Sequence, residues 1–104
     1  MRRGELWWAR FPKPVGTRPV VLLSRDEAYR VRASVTVAPV TTRIRGLPVE
    51  VPLGSKEGLP RPCVVNLDSI GTIEKALLTS RIGALSPEQV EQVNCAIKFA
   101  LDLP

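Results

Sequence analysis

The sequence predicts a mainly β protein, a small and strongly bent barrel of short strands with a single helix at its C-terminal end. Three observations lead there. Apolar runs of strand length recur along most of the chain, parted by glycine, proline and charged turns. Helical spacing with a complete capping signature occurs once, near the end. A length of 104 residues gives one compact domain, residues 1–104, and leaves no room for a second.

Residues 5–11, ELWWARF, read as the first strand, with Leu6 and Trp8 on one face and Trp7, Ala9 and Phe11 on the other. Adjacent tryptophans in a strand point opposite ways. One is expected in the core and its neighbour nearer the surface, where it stacks a base or seals a subunit interface. Residues 11–17, FPKPVGT, form a short, proline-stiffened connection. Residues 18–23, RPVVLL, make one buried strand, with Pro19 confining its start and the cation of Arg18 at its mouth. Ser24 and Glu27 have capping-box spacing for a short helical turn over residues 24–30. Residues 31–40 return to strand, with Val35, Val37 and Pro39 on one face, and Pro39 puts the strand's end at an edge or kink. Thr41, Thr42, Arg43 and Arg45 then lead to Gly46 and a cationic turn.

Residues 47–53 alternate apolar with other residues, and Pro48 and Pro52 suit an exposed edge strand. Residues 54–62 read as loop. Residues 63–67 are a short buried strand that runs, across 66–71, into a tight turn, and residues 72–75 and 78–82 are two further β segments. The strongest local signal is Ser86-Pro87-Glu88-Gln89, in which serine is the N-cap, proline fits the first helical position and glutamine completes the reciprocal spacing. Val90, Val93, Ile97, Ala100 and Leu101 follow on one stripe, which is a helix packed on a sheet.

Composition narrows the chemistry. Mean hydropathy is close to zero (+0.04), so the chain buries a core yet is expected to be soluble. No apolar run approaches the ~20 residues needed to cross a bilayer, and Met1-Arg2-Arg3-Gly4 opens a strand pattern and not a signal peptide. A cytoplasmic location without membrane contact is expected. Cys63 and Cys95 lack metal-ligand spacing and read as small core residues. There is no histidine, which removes the commonest general base and histidine-ligated metals, so no metal or cofactor is expected and catalysis rests on Arg, Lys, Thr, Ser, Asp or Glu. Charge is uneven: residues 1–45 hold ten cations against three acids, net +7, and the remainder holds five against seven, net −2. A basic half of this kind attracts a polyanion and makes its binding fall with salt.

Within that half, pairing the strand RPVVLL with VAPVTTR (residues 37–43) brings Arg18 and Thr41 to one shallow surface. A guanidinium fork with a hydroxyl beside it suits a phosphodiester. Taken alone, the same residues are also compatible with a solvated strand-end charge and an ordinary β-former.

The blocks RGELWW (3–8), RPVVLLS (18–24), VAPVTTR (37–43) and CVVNLDSIGTIEKALLTSRIGAL (63–85) together resemble, in order and over nearly the whole chain, the MazF/PemK family of bacterial toxins, which are messenger-RNA-cleaving endoribonucleases. The resemblance implies an SH3-like, CcdB-like barrel with a C-terminal helix, a homodimer with an RNA groove along its junction, and a cognate antitoxin with a flexible acidic tail. Carried over by motif, Arg18 and Thr41 are catalytic. The ribose 2′-OH attacks without a metal and leaves a 2′,3′-cyclic phosphate, Arg18 supplying charge to the phosphate and leaving oxygen and Thr41 holding a phosphate oxygen. Lys13, Arg43, Arg45, Asp68, Ser69 and Trp7 are the RNA-binding candidates, and Glu5 and Asp68 the candidates for the base. The chain departs from the family in its shorter first loop and in Ser69 and Gly71, where many relatives carry longer or basic side chains. Two other readings are a CcdB-like toxin that binds DNA gyrase without catalysis and a basic barrel that binds nucleic acid without chemistry.

Overall fold

The computed structural model describes residues 1–104. Seven strands, β1 (Glu5–Arg10), β2 (Thr17–Leu22), β3 (Ser34–Thr41), β4 (Glu50–Leu53), β5 (Cys63–Asn66), β6 (Gly71–Glu74) and β7 (Leu78–Ala84), form one antiparallel sheet. Its order is β4-β5-β3-β2-β1-β7, with β6 also paired to β3, and it curls into a half-barrel. Helix α1 (Ala28–Val31) bridges β2 and β3, and α2 (Pro87–Ala100) packs against β4 and the 3₁₀ turn Leu67–Ser69.

The curl follows from apolar residues on both faces of the central strands. In β2, Val21 enters one buried cluster, with Leu6, Ala38, Val65 and Val93, whereas Val20 and Leu22 enter a second with Ala9, Tyr29, Val35 and Val37. A strand covered on both faces has to be apolar throughout, hence VVL. β3 divides its side chains in the same way and also changes partners. Its first half pairs with β2 and β6, while Val40 and Thr41 pair with Val65 and Val64 of β5. Pro39 stands opposite Val20 at the last β2–β3 pair, where its missing N–H is in keeping with the end of that ladder, and the next two residues pair with β5. Irregular steps in the β1–β7 register, on either side of Trp7-Trp8, add to the bend. β4 pairs only with β5, as an edge strand with Pro52 exposed.

Three expectations are corrected. Ser24 does not cap a helix. α1 begins only at Ala28, and the Ser24 hydroxyl instead accepts the Thr36 N–H at 2.8 Å, serving a backbone amide of β3. Cys95 is exposed and not in the core, whereas Cys63 is buried. Leu101 lies past the last turn of α2 and is exposed, and Ala96 takes its place in the buried stripe with Val93.

The capping box forms as expected. Gln89 N–H donates to Ser86 Oγ at 3.1 Å, and Ser86 N–H donates to Gln89 Oε1 at 2.9 Å. The N-terminal segment is clamped to this helix: Arg3 donates from Nε to Leu23 O and from Nη2 to Asn94 Oδ1. Gly4 lies so close to α2 that a Cβ there would stand 3.2 Å from Val90 Cγ2. Ser86→Ala removes one orphan-amide acceptor and is expected to destabilise the fold by about 1 kcal/mol, read as a lower midpoint in urea at unchanged slope. Ser86→Asp should restore most of that loss, and an unchanged midpoint in Ser86→Ala would contradict the cap's contribution.

Candidate active site

Where β2 and β3 part, they open a cleft of about 920 Å³. Extending the register Val20↔Pro39 by two residues sets Arg18 opposite Thr41, and both line this cleft. Pro19 and Pro39, which lack the N–H that a ladder needs, line it as well. Trp8 and Phe11 contribute an aromatic wall from the first strand and its end. Leu59, Pro60, Arg61 and Cys63, on the connection from β4 into β5, also line it. Arg18 and Arg61 are the only charged residues in the lining, and both are cations. Positive charge in a cleft with apolar walls focuses the field and favours an anion.

Local bonding leaves both proposed catalytic groups able to act. Arg18 Nη1 donates to the carbonyl of Thr17 at 2.9 Å, which steadies the guanidinium on its own strand and leaves its other donors without a partner in the chain. Thr41 Oγ1 accepts the Arg43 N–H at 3.1 Å, so its hydroxyl hydrogen is available to an external acceptor. A fork of donors and a hydroxyl in one concavity can hold and polarise a phosphate.

The other sequence candidates are not brought into this lining. Lys13 is exposed on the β1–β2 loop, and Arg43 and Arg45 are exposed on the β3–β4 loop beyond the cleft. Asp68 and Ser69 are the exposed residues of the 3₁₀ turn after β5, where the Asp68 N–H donates to Asn66 Oδ1. Trp7 faces away: half-buried against the second cluster, its Nε1–H donates to Glu5 Oε1 at 3.0 Å. Trp8, on the opposite face, is the tryptophan in the cleft. Glu5 lies outside too, bound by Trp7, the Arg2 N–H and Arg81. Burial raises its pKa, but those hydrogen bonds and the charge of Arg81 outweigh burial and hold it below its ordinary value. Of the residues that line the cleft, the sequence did not single out Phe11, Thr42 or Arg61 for it, and of the adjacent tryptophans it pointed to Trp7 where Trp8 lines the cleft. The one local sign of Arg61 was its place between two prolines.

A second cavity, between β4 and α2, has the opposite character. Glu50, Glu57, Glu88 and Glu91 line it against Lys56 alone, which disfavours a polyanion.

Residues 2–101 match a family described as PemK-like, MazF-like toxin of type II toxin-antitoxin system. The chain belongs to this toxin family. Among PemK/MazF relatives it is 42% identical, over 96% of its length and 92% of the relative's, to a probable endoribonuclease MazF5 of Mycobacterium tuberculosis. Its fold superposes on the M. tuberculosis toxin MazF-mt6 with a TM-score of 0.89 at 37% identity, covering 96% of this chain and 98% of that one. It also matches a mycobacterial endoribonuclease solved in complex with its cognate antitoxin, with a TM-score of 0.86 at 29% identity over 100% of this chain and 97% of the other. The half-barrel with its C-terminal helix is therefore the PemK/MazF fold.

The cationic loop beyond the cleft is tied down by one carboxylate. Glu50 accepts the backbone N–H groups of Arg45, Gly46 and Leu47, with distances to Oε1 of 3.0, 2.8 and 3.3 Å. Desolvation raises the Glu50 pKa, but these donors and the charge of Arg45 prevail, and it lies below its ordinary value. A folded pKa below the unfolded one gives stability that is complete above the ordinary value and lost as pH falls through the lowered one. Glu50→Gln should therefore melt below the parent chain at neutral pH and converge with it in acid, beneath the carboxylate range. Thermal unfolding of both chains across that range tests this, and a gap that persists undiminished in acid would contradict it.

Proposed function

We propose that this chain is a toxin endoribonuclease that cleaves single-stranded messenger RNA at short motifs, in the cleft between Arg18 and Thr41. The observation that carries the reading is the meeting of those two residues in a concavity whose only charged side chains are cations. The 2′ oxygen gives up its proton to solvent water and bonds to phosphorus, the P–O5′ bond breaks, and O5′ leaves with a proton taken from water, giving a 2′,3′-cyclic phosphate. Arg18 stabilises charge on the phosphate and on the departing O5′, and Thr41 donates to a phosphate oxygen. With no carboxylate in the lining, electrostatic placement carries most of the acceleration. Trp8 and Phe11 offer faces on which bases stack. The nucleophile comes from the RNA, so the mechanism calls for no protein nucleophile and no metal.

The protein acts as a cytoplasmic homodimer and is silenced by a cognate antitoxin. Exposed Phe99, Leu101 and Leu103 give the end of α2 apolar surface for association. An acidic antitoxin tail competes with RNA for the cationic cleft and for Arg43 and Arg45, becoming ordered as it binds. The CcdB-like gyrase binder is not favoured by the family match, and a barrel without chemistry does not account for the juxtaposed Arg18 and Thr41.

Purified protein is expected to cleave single-stranded RNA in EDTA, with activity that fades as salt rises. Strict dependence on added magnesium would overturn the mechanism. Arg18→Lys keeps the charge but loses the planar fork, and Thr41→Ala loses the donor. Each should lower turnover at least tenfold, about 1.4 kcal/mol of transition-state stabilisation, without unfolding the chain, because neither side chain is buried. Full activity in either variant would remove that residue from the mechanism. Light scattering followed by titration with the antitoxin tests the assembly: an active monomer indifferent to the antitoxin would refute it.

A further inference from the structure

We infer that Arg61 is a second phosphate-binding residue, gripping the RNA backbone from the β5 side of the cleft while Arg18 and Thr41 serve the scissile phosphate. The inference rests on reading the cleft as the RNA site.

Arg61 stands on the connection from β4 to β5, a stretch with few ways to move. Leu59 and Cys63 are both 4% exposed within the main buried cluster and pin the two ends of Leu59-Pro60-Arg61-Pro62-Cys63. Between them, Pro60 and Pro62 fix their own φ angles, and Pro62 restricts Arg61 to extended backbone. The segment is also in register with the site, because β5 begins at Cys63 and its Val64 pairs with Thr41. The guanidinium is thus carried to the cleft by a braced chain and not by a free loop.

Arg18 has the same construction, since it precedes Pro19. Both cations of the cleft are arginines before proline, which reduces the backbone freedom lost when a ligand is gripped.

Arg61 is exposed and makes no hydrogen bond or ion pair within the chain, whose single salt bridge joins Arg81 to Glu5. Arg3 and Arg81, in contrast, are committed to structural partners. An unpaired guanidinium facing a cleft without acids matches a phosphodiester, which takes the fork in bidentate fashion. Its segment leads into β5, which pairs with β3 and is separated by β3 from the Arg18 strand, so its phosphate is taken to be other than the one being cleaved. Its contribution then falls on binding and not on the chemical step.

The test uses a single-stranded RNA that carries 2′-O-methyl groups throughout, which binds without being cut, and an unmodified RNA for turnover. By fluorescence anisotropy, Arg61→Gln should raise Kd about tenfold and lower the slope of log affinity against log salt by about 0.7. On unmodified RNA, KM should rise while kcat stays within about twofold. Arg61→Lys should restore the salt slope but only part of the affinity, which separates a phosphate contact from a folding defect. Unchanged Kd and slope in Arg61→Gln, or a fall in kcat at unchanged Kd, would overturn the assignment. If Arg18→Lys still loses turnover in either of those cases, only the role of Arg61 is lost. A parent chain that neither binds nor cuts RNA would overturn the reading of the cleft and this inference with it.

Discussion

The change of partners along β3 is the constraint on which the rest of the structure depends. One strand pairs with β2 and β6 and then leaves β2 for β5 at a proline that cannot continue the ladder. Had the pairing run on unbroken, Arg18 and Thr41 would be neighbours on a filled sheet with no volume between them. Parting the strands there turns an adjacency into a cleft. The parting is held open because β2 and β3 bury alternate side chains in clusters on opposite faces, so neither strand can rotate without exposing one of them.

Charge acquires its meaning from partnering. The basic half of the chain contains cations with different tasks, and net charge does not separate them. Arg3 ties the N-terminal segment to α2, and elsewhere Lys75 Nζ donates to Tyr29 O at 2.7 Å while Arg81 holds Glu5. These cations stabilise the fold and are poorly placed to attract a ligand. Arg61 keeps an unpartnered guanidinium, Arg18 is tied only to its own strand, and these two share the cleft. The acids are segregated as well, several of them along the groove between β4 and α2. The molecule thus presents one concavity suited to an anion and another that is not.

The loops beside the cleft are ordered by short-range polar contacts in place of a core. Thr41 holds the Arg43 amide, and Glu50 gathers three amides of the following turn. One carboxylate on several N–H groups is an economical brace for an exposed cationic turn. It also gives Arg43 and Arg45 a defined position beside the cleft without placing them in it.

The sequence by itself determined the features that depend on neighbours along the chain. The cap and stripe of α2, the doubly buried run of β2 and the proline-marked edge of β4 are all local patterns, and each has a single geometric outcome. The meeting of Arg18 and Thr41 was legible too, because it needs only that two adjacent strands pair. Tertiary structure alone decided which tryptophan faces the cleft, that the Ser24 hydroxyl serves Thr36 and not a helix, and that Cys95 and Leu101 are exposed. It also decided that Arg61 joins the cleft lining while Lys13, Arg43, Arg45, Asp68 and Ser69 stay outside it. The reason is that side-chain periodicity states which residues share a face but is silent on what lies across from it, and that depends on strand register and curvature summed over the whole sheet.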